Sequence, residues 1–235
     1  MIQLASLTLA SALLLPAIPT RAAEHPIVLV SLEELVKRME GPSHSWDFTL
    51  IDSRTRTEYD EAHIPGALSL PAEETKAKLP ALVKDKSKTV VFSCNGPKCT
   101  KSGKAFQAAM NLGYKNSAEY NAGLPAWTMA NRPTDGSPLP SFTPASLSAG
   151  ELSELLKDGA KAPVVLAVRP ADEFAKFHIK GSLNVALDDI KAKLGSIPNK
   201  PSVIVDHAGH QTMISGRLLA SLGRKEIQRL GGGLK

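Results

Sequence analysis

The chain repeats itself, and this duplication constrains its fold more than any other feature of the sequence. "LIDSRTRTEYDEAHIPGALSLP" aligns with "VLAVRPADEFAKFHIKGSLNVAL", so that Arg54 matches Arg169 at an offset of 115 positions. Further on, the segment that ends in Cys94 matches the segment that ends in Asp206 at an offset of 112. A constant order with a slowly shrinking offset indicates one duplicated unit with small deletions.

Both copies contain the same order of predicted elements. Ser31 and Ser148 each precede a helical segment and have a glutamate three positions on, which is the capping-box pattern of a helix start. Short apolar runs such as "FTLID" and "PVVLAV" are too short for helices and are typical of buried strands. Strands that alternate with helices predict a parallel sheet with helices on both faces. The sequence therefore predicts an α/β fold with two tandem domains.

Residues 1–23 are predicted to be a secretory signal peptide. The apolar stretch from Leu4 to Ile18 is followed by small residues at suitable cleavage positions, including Ala22 and Ala23, although no Lys or Arg precedes it. The alternative is a retained anchor, but the stretch is shorter than the ~20 residues that a membrane span needs. We therefore expect a periplasmic protein in an oxidising compartment, with no stable membrane span after signal cleavage.

Net charge and cysteine count indicate which binding partners and which kinds of site to expect. The net charge is +5 without a long Lys/Arg block, so we expect no nucleic-acid binding, and a small anionic substrate fits the basic charge at least as well. The two cysteines, Cys94 and Cys99, are too few for a disulfide framework, and they cannot form a self-sufficient zinc site. The sequence predicts no cofactor and no metal.

Cys94 has the sequence context of a reactive cysteine. It directly follows the strand "TVVFS", and ligands of parallel sheets bind at the carboxyl ends of strands. The next residues lead into a predicted helix, so backbone N–H groups and the helix N-terminus would stabilise a thiolate. Lys98 or Lys101 would add positive charge. The alternative is a buried structural cysteine.

These motifs together resemble the rhodanese family of sulfurtransferases. The first copy contains "DSR", "EYDEAHIPGA", a strand that ends in a cysteine and the closing segment "AGLPAW". The resemblance covers nearly all of the chain beyond residue 23. It implies a mostly parallel, five-stranded sheet flanked by helices in each domain, and a cysteine that accepts sulfane sulfur as a persulfide. We place the domains at 24–133 and 144–235, joined by a Pro-, Gly- and Ser-rich linker at 134–143.

The resemblance also implies roles for single residues. Cys94 is the expected catalytic residue, and Asp52 and Arg54 are expected to support its loop. The expected substrate-binding residues are Asn95, Gly96, Lys98, Cys99, Thr100 and Lys101. The common form of the family ends this loop in an arginine, where Cys99 stands here, so the chain carries a variant Cys-Asn-Gly-Pro-Lys-Cys loop. The missing arginine weakens the expectation of efficient thiosulfate turnover, and it argues strongly against phosphoryl transfer.

Three interpretations of Cys99 stay open. It is inert, or it resolves a persulfide or sulfenate on Cys94 by forming a disulfide within the loop, or it is itself the nucleophile. An oxidising compartment favours the second interpretation, provided that the two Cα atoms lie within about 7 Å.

The second domain is predicted to be inactive. Asp206 stands in the cysteine position, and Gln211 replaces the arginine. A metal site formed with His207 and His210 is a weaker alternative to a decayed loop. Three repeated pairs are interpreted as scaffold rather than catalytic residues, because they persist in a copy without a cysteine: His63 and His178, Arg54 and Arg169, and Glu58 and Glu173.

The sequence thus predicts a sulfurtransferase that moves sulfane sulfur from a donor such as thiosulfate to a thiol or cyanide acceptor through a persulfide on Cys94. The alternative is a non-enzymatic sulfur-carrier, redox or docking module of the periplasm, which uses the Cys94/Cys99 pair and a protein partner. The linker would let the second domain lie over Cys94.

Overall fold

The chain forms two α/β units with the same order of elements. The computed structural model describes residues 24–207 and 209–234, so the predicted signal peptide lies outside the described residues. Within those ranges no helix is long and apolar enough to cross a bilayer. The predicted fold class, two parallel sheets flanked by helices, is confirmed.

The first unit contains a four-stranded parallel sheet in the order β2-β1-β3-β4. Its elements are α1 (Leu32–Arg38), β1 (Phe48–Asp52), α2 (Arg56–Glu61), β2 (Leu68–Ser69), α3 (Thr75–Leu82), β3 (Thr89–Ser93), α4 (Lys101–Asn111), β4 (Ser117–Tyr120) and α5 (Gly123–Met129). The expected fifth strand is reduced to a single parallel bridge between Leu29 and Glu119.

The second unit contains all five strands, in the order β5-β9-β8-β6-β7, and every pairing is parallel. Its elements are β5 (Ala145–Leu147), α6 (Ala149–Lys157), β6 (Val164–Ala167), α7 (Ala171–Lys176), β7 (Leu183–Asn184), α8 (Ile190–Lys193), β8 (Ser202–Val205), α9 (His210–Ser221) and β9 (Ile227–Leu230). The extra strand β5 corresponds to the segment around Leu29 in the first unit.

The helix starts follow from local hydrogen bonds. The Ser31 hydroxyl accepts the N–H of Glu34 at the start of α1, which is one half of the predicted capping box, and Ser148 and Glu151 form the complete box at α6. A further box at α2 joins Thr55 to Glu58, and the sequence analysis missed it. Glu58 is therefore held by the start of α2, which fixes its carboxylate for the contacts described below.

The apolar cores lie on both faces of each sheet. The central strands β3 and β8 are almost completely buried, as continuous apolar runs in a parallel sheet should be. Core residues pack in separate clusters above and below each sheet. Because both faces of each sheet are apolar, polar side chains and loop amides gather at the ends of the strands, including the carboxyl ends.

The linker and a set of polar contacts hold the two units together. Backbone N–H and carbonyl groups of His63 and Asp135 pair in both directions, at 2.8 and 3.0 Å. The Asp188 carboxylate accepts the first backbone N–H groups of α2, from Arg56 and Thr57, at 2.8 Å each. Arg217 pairs with Glu61 at 2.7 Å. These contacts place the carboxyl ends of β3 and β8 opposite each other.

Candidate active site

Cys94 lies at the carboxyl end of β3, between its neighbours β1 and β4. The residue is 1% exposed and is joined to Cys99 by a disulfide, with the two Cα atoms 6.3 Å apart. This separation lies inside the range that a disulfide allows. The arrangement is the one that the resolving interpretation of Cys99 requires.

The loop after Cys94 depends on two glycines. Gly96 has φ +92°, which favours glycine, and its carbonyl accepts the N–H of Cys99 at 2.9 Å. Gly123, with φ +63°, lies so close to the Cys94 carbonyl that a Cβ atom would collide with it. That carbonyl accepts the N–H of Leu124 at 3.0 Å. The segment "AGL" after β4 therefore closes against the cysteine loop.

Several amides of this loop are unused. The N–H groups of Asn95, Lys98 and Thr100 donate to no acceptor among the described residues. The loop then enters α4, whose first N–H groups have no partner within the helix. Unused amides and a helix start stabilise negative charge, which is the property that a thiolate or a persulfide needs.

Asp52 and Arg54 lie next to the loop, and Arg54 contacts it through Asn95. The Arg54 Nη2 atom lies 2.6 Å from Asp52 Oδ2 and donates to the Ala62 carbonyl at 2.6 Å. Its Nη1 atom donates to Asn95 Oδ1 at 3.3 Å. Burial lowers the pKa of the Arg54 guanidinium, but Asp52 outweighs it and the net pKa is raised. Arg54 is a fixed cation that orients Asn95.

Glu58 connects the loop to the second unit. It is 4% exposed and accepts from Asn95 Nδ2 at 2.5 Å, from Lys101 Nζ at 3.1 Å and from Gln211 Nε2 at 3.2 Å. Burial by itself raises the pKa of the Glu58 carboxyl, but Lys101, Arg54 and the Thr55 backbone together lower it to about 2. The side chain is therefore ionised at neutral pH, and it holds Lys101 in place.

A cavity of about 170 Å³ separates the two facing loops. Both units line it, with Glu58, Asn95, Lys98, Cys99, Thr100 and Lys101 from the first, and Arg169, Pro170, Glu173, Asp206, His207 and Gln211 from the second. Five of the six predicted substrate-binding residues thus meet at one wall. Gly96 instead packs against the Ala122 carbonyl, and Cys94 lies beneath Cys99. The sequence analysis missed the opposite wall, for which no local motif exists.

The loop after Asp206 shares a backbone contact with the cysteine loop, but a carboxylate replaces the thiol. Asp206, at the end of β8, accepts the N–H groups of Gly209 and Gln211, the second at 2.6 Å. Its carbonyl accepts the N–H of Leu234 at 2.9 Å, as the Cys94 carbonyl accepts that of Leu124. Within the part of the chain that the structure describes, no three acidic, histidine or cysteine side chains are grouped to hold a metal.

The repeated histidines occupy matching turns away from the cavity. His63 stacks on Tyr59 at 3.7 Å between ring centroids, and its Nδ1 atom lies 2.7 Å from the Tyr59 carbonyl. His178 stacks on Phe174 at 4.1 Å, with its Nδ1 atom 3.0 Å from the Phe174 carbonyl. This shared geometry fits the interpretation of both as structural residues.

A comparison with family models decides the family. The model of the rhodanese-like domain matches residues 31–130 and 148–235, so both units are covered. The chain belongs to the rhodanese-like family.

Individual relatives of this rhodanese-like protein match in part. An HTH-type transcriptional regulator from Mycobacterium tuberculosis is 31% identical over 47% of this chain and 46% of its own length. Thiosulfate sulfurtransferase PspE from Escherichia coli is 34% identical over 27% of this chain and 60% of its own. The chain thus spans about half of one curated relative and three fifths of the other.

Among solved structures, a thiosulfate sulfurtransferase from Pseudomonas aeruginosa matches 89% of this chain and 43% of its own, with 19% identity and a TM-score of 0.41.

Proposed function

We propose that this protein is a sulfurtransferase that carries sulfane sulfur as a persulfide on Cys94. The observation that carries the proposal is the position of Cys94 at the carboxyl end of a central strand, at the head of a loop with unused amides. That loop forms one wall of the cavity, and Lys98 and Lys101 lie beside it. Membership of the rhodanese-like family supports the same chemistry.

The reaction begins once the disulfide is opened. A dithiol reductant supplies two electrons and two protons and leaves as its own disulfide, which frees both cysteines. The Cys94 thiolate then attacks the outer sulfur of thiosulfate. A sulfur–sulfur bond to Cys94 forms while that of the donor breaks, and sulfite leaves with the electron pair. Cyanide or a thiolate next attacks the outer sulfur of the persulfide and regenerates the Cys94 thiolate.

The chain supplies charge stabilisation for both steps. The persulfide and the thiolate are anions, and the unused amides of Asn95 and Lys98 lie in the same loop. The eleven-residue helix α4 starts at Lys101 and adds the partial positive charge of its N-terminus. Lys98 is exposed and attracts the donor, whereas Lys101 is held by Glu58. Because lysine lacks the planar fork of arginine, the loop alone binds an oxyanion weakly.

The test measures thiocyanate and sulfite formed from thiosulfate and cyanide, after treatment with dithiothreitol and its removal. We expect turnover by the reduced protein and by Cys99→Ser, and none above background with Cys94→Ser. Cys99→Ser is the matched control, because it also removes the disulfide. Turnover that survives in Cys94→Ser would exclude Cys94 as the sulfur carrier.

A second candidate is a carrier or redox module, which the Cys94–Cys99 disulfide favours. Here the Cys99 thiolate attacks the inner sulfur of a Cys94 persulfide, so that the disulfide forms and hydrosulfide leaves. We then expect intact protein mass one sulfur atom heavier in Cys99→Ser after donor treatment, and a disulfide plus free sulfide in the unmodified protein. Acid-trapped protein from cells with both thiols free would count against this role.

We also propose that the protein acts outside the cytoplasm. The apolar segment from Leu4 to Ile18 and the small residues after it support export. N-terminal sequencing of protein from a periplasmic fraction should then begin near Ala23 or Glu24. Recovery of the full chain, with Met1, from the cytoplasmic fraction would contradict export.

A further inference from the structure

Arg169 is a buried cation without the partner that its repeat counterpart has. It follows β6, is 3% exposed and donates through Nη1 to the Phe177 carbonyl at 2.8 Å. Its Nε atom is buried and has no hydrogen-bond partner among the described residues. The Glu173 carboxylate lies 3.9 Å from Nε, beyond hydrogen-bond distance. A buried donor without an acceptor is unfavourable, and a ligand oxygen would satisfy it.

The duplication explains how this guanidinium lost its partner. In the first unit Asp52 occupies the fork of Arg54 through three hydrogen bonds. The equivalent position in the second unit is Ala167, which offers no carboxylate. Arg169 keeps the backbone contact of Arg54 to the residue eight positions on, but its fork is not filled by an aspartate.

Arg169 lines the cavity opposite the cysteine loop. The carboxylates around that cavity are occupied elsewhere. Glu173 pairs with Lys104 at 3.0 Å, and Glu58 pairs with Lys101 at 3.1 Å. Asp206 accepts the amides of its own loop. The cavity therefore contains a guanidinium whose nearest carboxylate, Glu173, forms only a long ion pair with it at 3.9 Å and is shared with Lys104.

We propose that Arg169 of the second unit binds the sulfonate end of the sulfur donor, so that both units build the donor site. This inference rests on the proposed sulfurtransferase function. A planar guanidinium suits an oxyanion with two or three equivalent oxygens, and it supplies the fork that the loop from Cys94 to Lys101 lacks. The ligand is inorganic thiosulfate, whose sulfonate group faces Arg169 and whose terminal sulfane sulfur is directed at the cysteine loop.

The test measures binding rather than turnover, so that it is independent of sulfur transfer. The full chain carrying Cys94→Ser and Cys99→Ser is titrated with thiosulfate by isothermal calorimetry, alone and with Arg169→Gln or Arg217→Gln. Arg217 is the matched control, because it also lies between the units and has a buried Nε without a partner, but its fork holds Glu61. We expect at least tenfold weaker binding with Arg169→Gln, and a change within twofold with Arg217→Gln.

Three outcomes would overturn the proposal: equal binding with Arg169→Gln, an equal loss with both variants, or no thiosulfate binding by the folded parent protein. If Arg169→Gln does not fold, Arg169→Lys replaces it and should weaken binding severalfold, whereas unchanged binding contradicts a role for the fork. S-sulfocysteine carries the same sulfonate group but no transferable sulfane sulfur. If it binds, its affinity should also fall with the Arg169 variant, and an unchanged affinity would contradict a contact between Arg169 and the sulfonate. The two proposals can fail separately. If Arg169→Gln weakens thiosulfate binding but the reduced unmodified protein shows no turnover, the inference about Arg169 stands and the proposed sulfurtransferase function does not.

Discussion

The two loops that face each other across the cavity share a backbone and differ in what their amides hold. Around Cys94 the amides of Asn95, Lys98 and Thr100 have no acceptor among the described residues. Around Asp206 the equivalent loop donates to a carboxylate of its own chain. Successive backbone N–H groups that point into a loop favour an anion at its centre. In the second copy the sequence supplies this anion permanently, and in the first copy our proposal assigns it to the thiolate or persulfide of Cys94.

The acidic residues beneath the loops show the same divergence. Glu58 is buried among Asn95, Lys101 and Gln211, whereas its repeat counterpart Glu173 has a side chain that is 26% exposed. The first copy therefore uses this position to fix its loop, and the second uses it at the surface between the units. Duplication has left the fold intact while the local charges took separate roles.

Replacing the two glutamates tests this divergence with the largest expected effect. Glu58→Gln removes a buried charge opposite Lys101 and Arg54, and breaking such a pair should cost about 3 kcal/mol of unfolding free energy. Glu173→Gln removes a partly exposed pair and should cost less than about 1 kcal/mol. Urea unfolding followed by circular dichroism measures both. Equal losses would show that the two copies use this position alike.

The dependence of folding stability on pH gives a second test of the role of Glu58. The Glu58 carboxyl has a pKa of about 2 in the folded protein, against an ordinary value of 4.5. As the pH falls from 5 to 2, the unfolded chain binds this proton first, so folding stability that is present above pH 4.5 is lost. The loss attributable to Glu58 should reach about 3 kcal/mol at pH 2. Unfolding curves of Glu58→Gln should lack this part of the acid dependence, and an identical pH profile would contradict it.

Asp206→Ala tests whether the second loop is stabilised by its own carboxylate. The change leaves the amides of Gly209 and Gln211 without an acceptor, and should cost about 2 kcal/mol in unfolding free energy. Asp206→Asn keeps one acceptor oxygen and should cost less. Hydrogen exchange of the Gln211 amide provides a local measurement, in which Asp206→Ala should exchange faster. Unchanged exchange would mean that the carboxylate does not organise the loop.

The smallest effects are expected at the histidines that both copies retain. His63→Gln and His178→Gln should each lower stability by about 1 kcal/mol or less, through loss of ring stacking. Turnover of the reduced protein should stay within about twofold, because loss of a general base would cost about a hundredfold or more. A large drop with His63→Gln alone would make His63 a participant in the reaction and break the symmetry of the repeats.

Much of the fold could be predicted because its signals are local. Apolar runs identified the central strands, and serine–glutamate pairs located α1 and α6. The position of Cys94 followed from the strand before it. The fifth strand of the first unit could not be predicted in detail, since the segment around Leu29 forms one bridge where Ala145–Leu147 forms a strand.

The wall of the cavity from the second unit was beyond sequence reasoning. Glu58 and Gln211 are 153 positions apart, and no periodicity or motif connects them. The sequence predicts Arg169 to be a scaffold residue because it persists in the copy that lacks a cysteine. The absence of an aspartate at position 167 was visible in the sequence, but its meaning depends on which surface the arginine faces in the folded protein.

The contacts of the linker affect which molecules can reach the cavity between the two units. Asp135 is paired in both directions with His63, Ser137 donates to the Asp60 carbonyl at 2.7 Å, and Leu139 and Phe142 pack against the core of the second unit. Wide separation of the two units would therefore break these hydrogen bonds and apolar contacts. Under the proposed function, a sulfur acceptor has to reach the cavity while the two units stay in contact, which favours small nucleophiles over large protein acceptors.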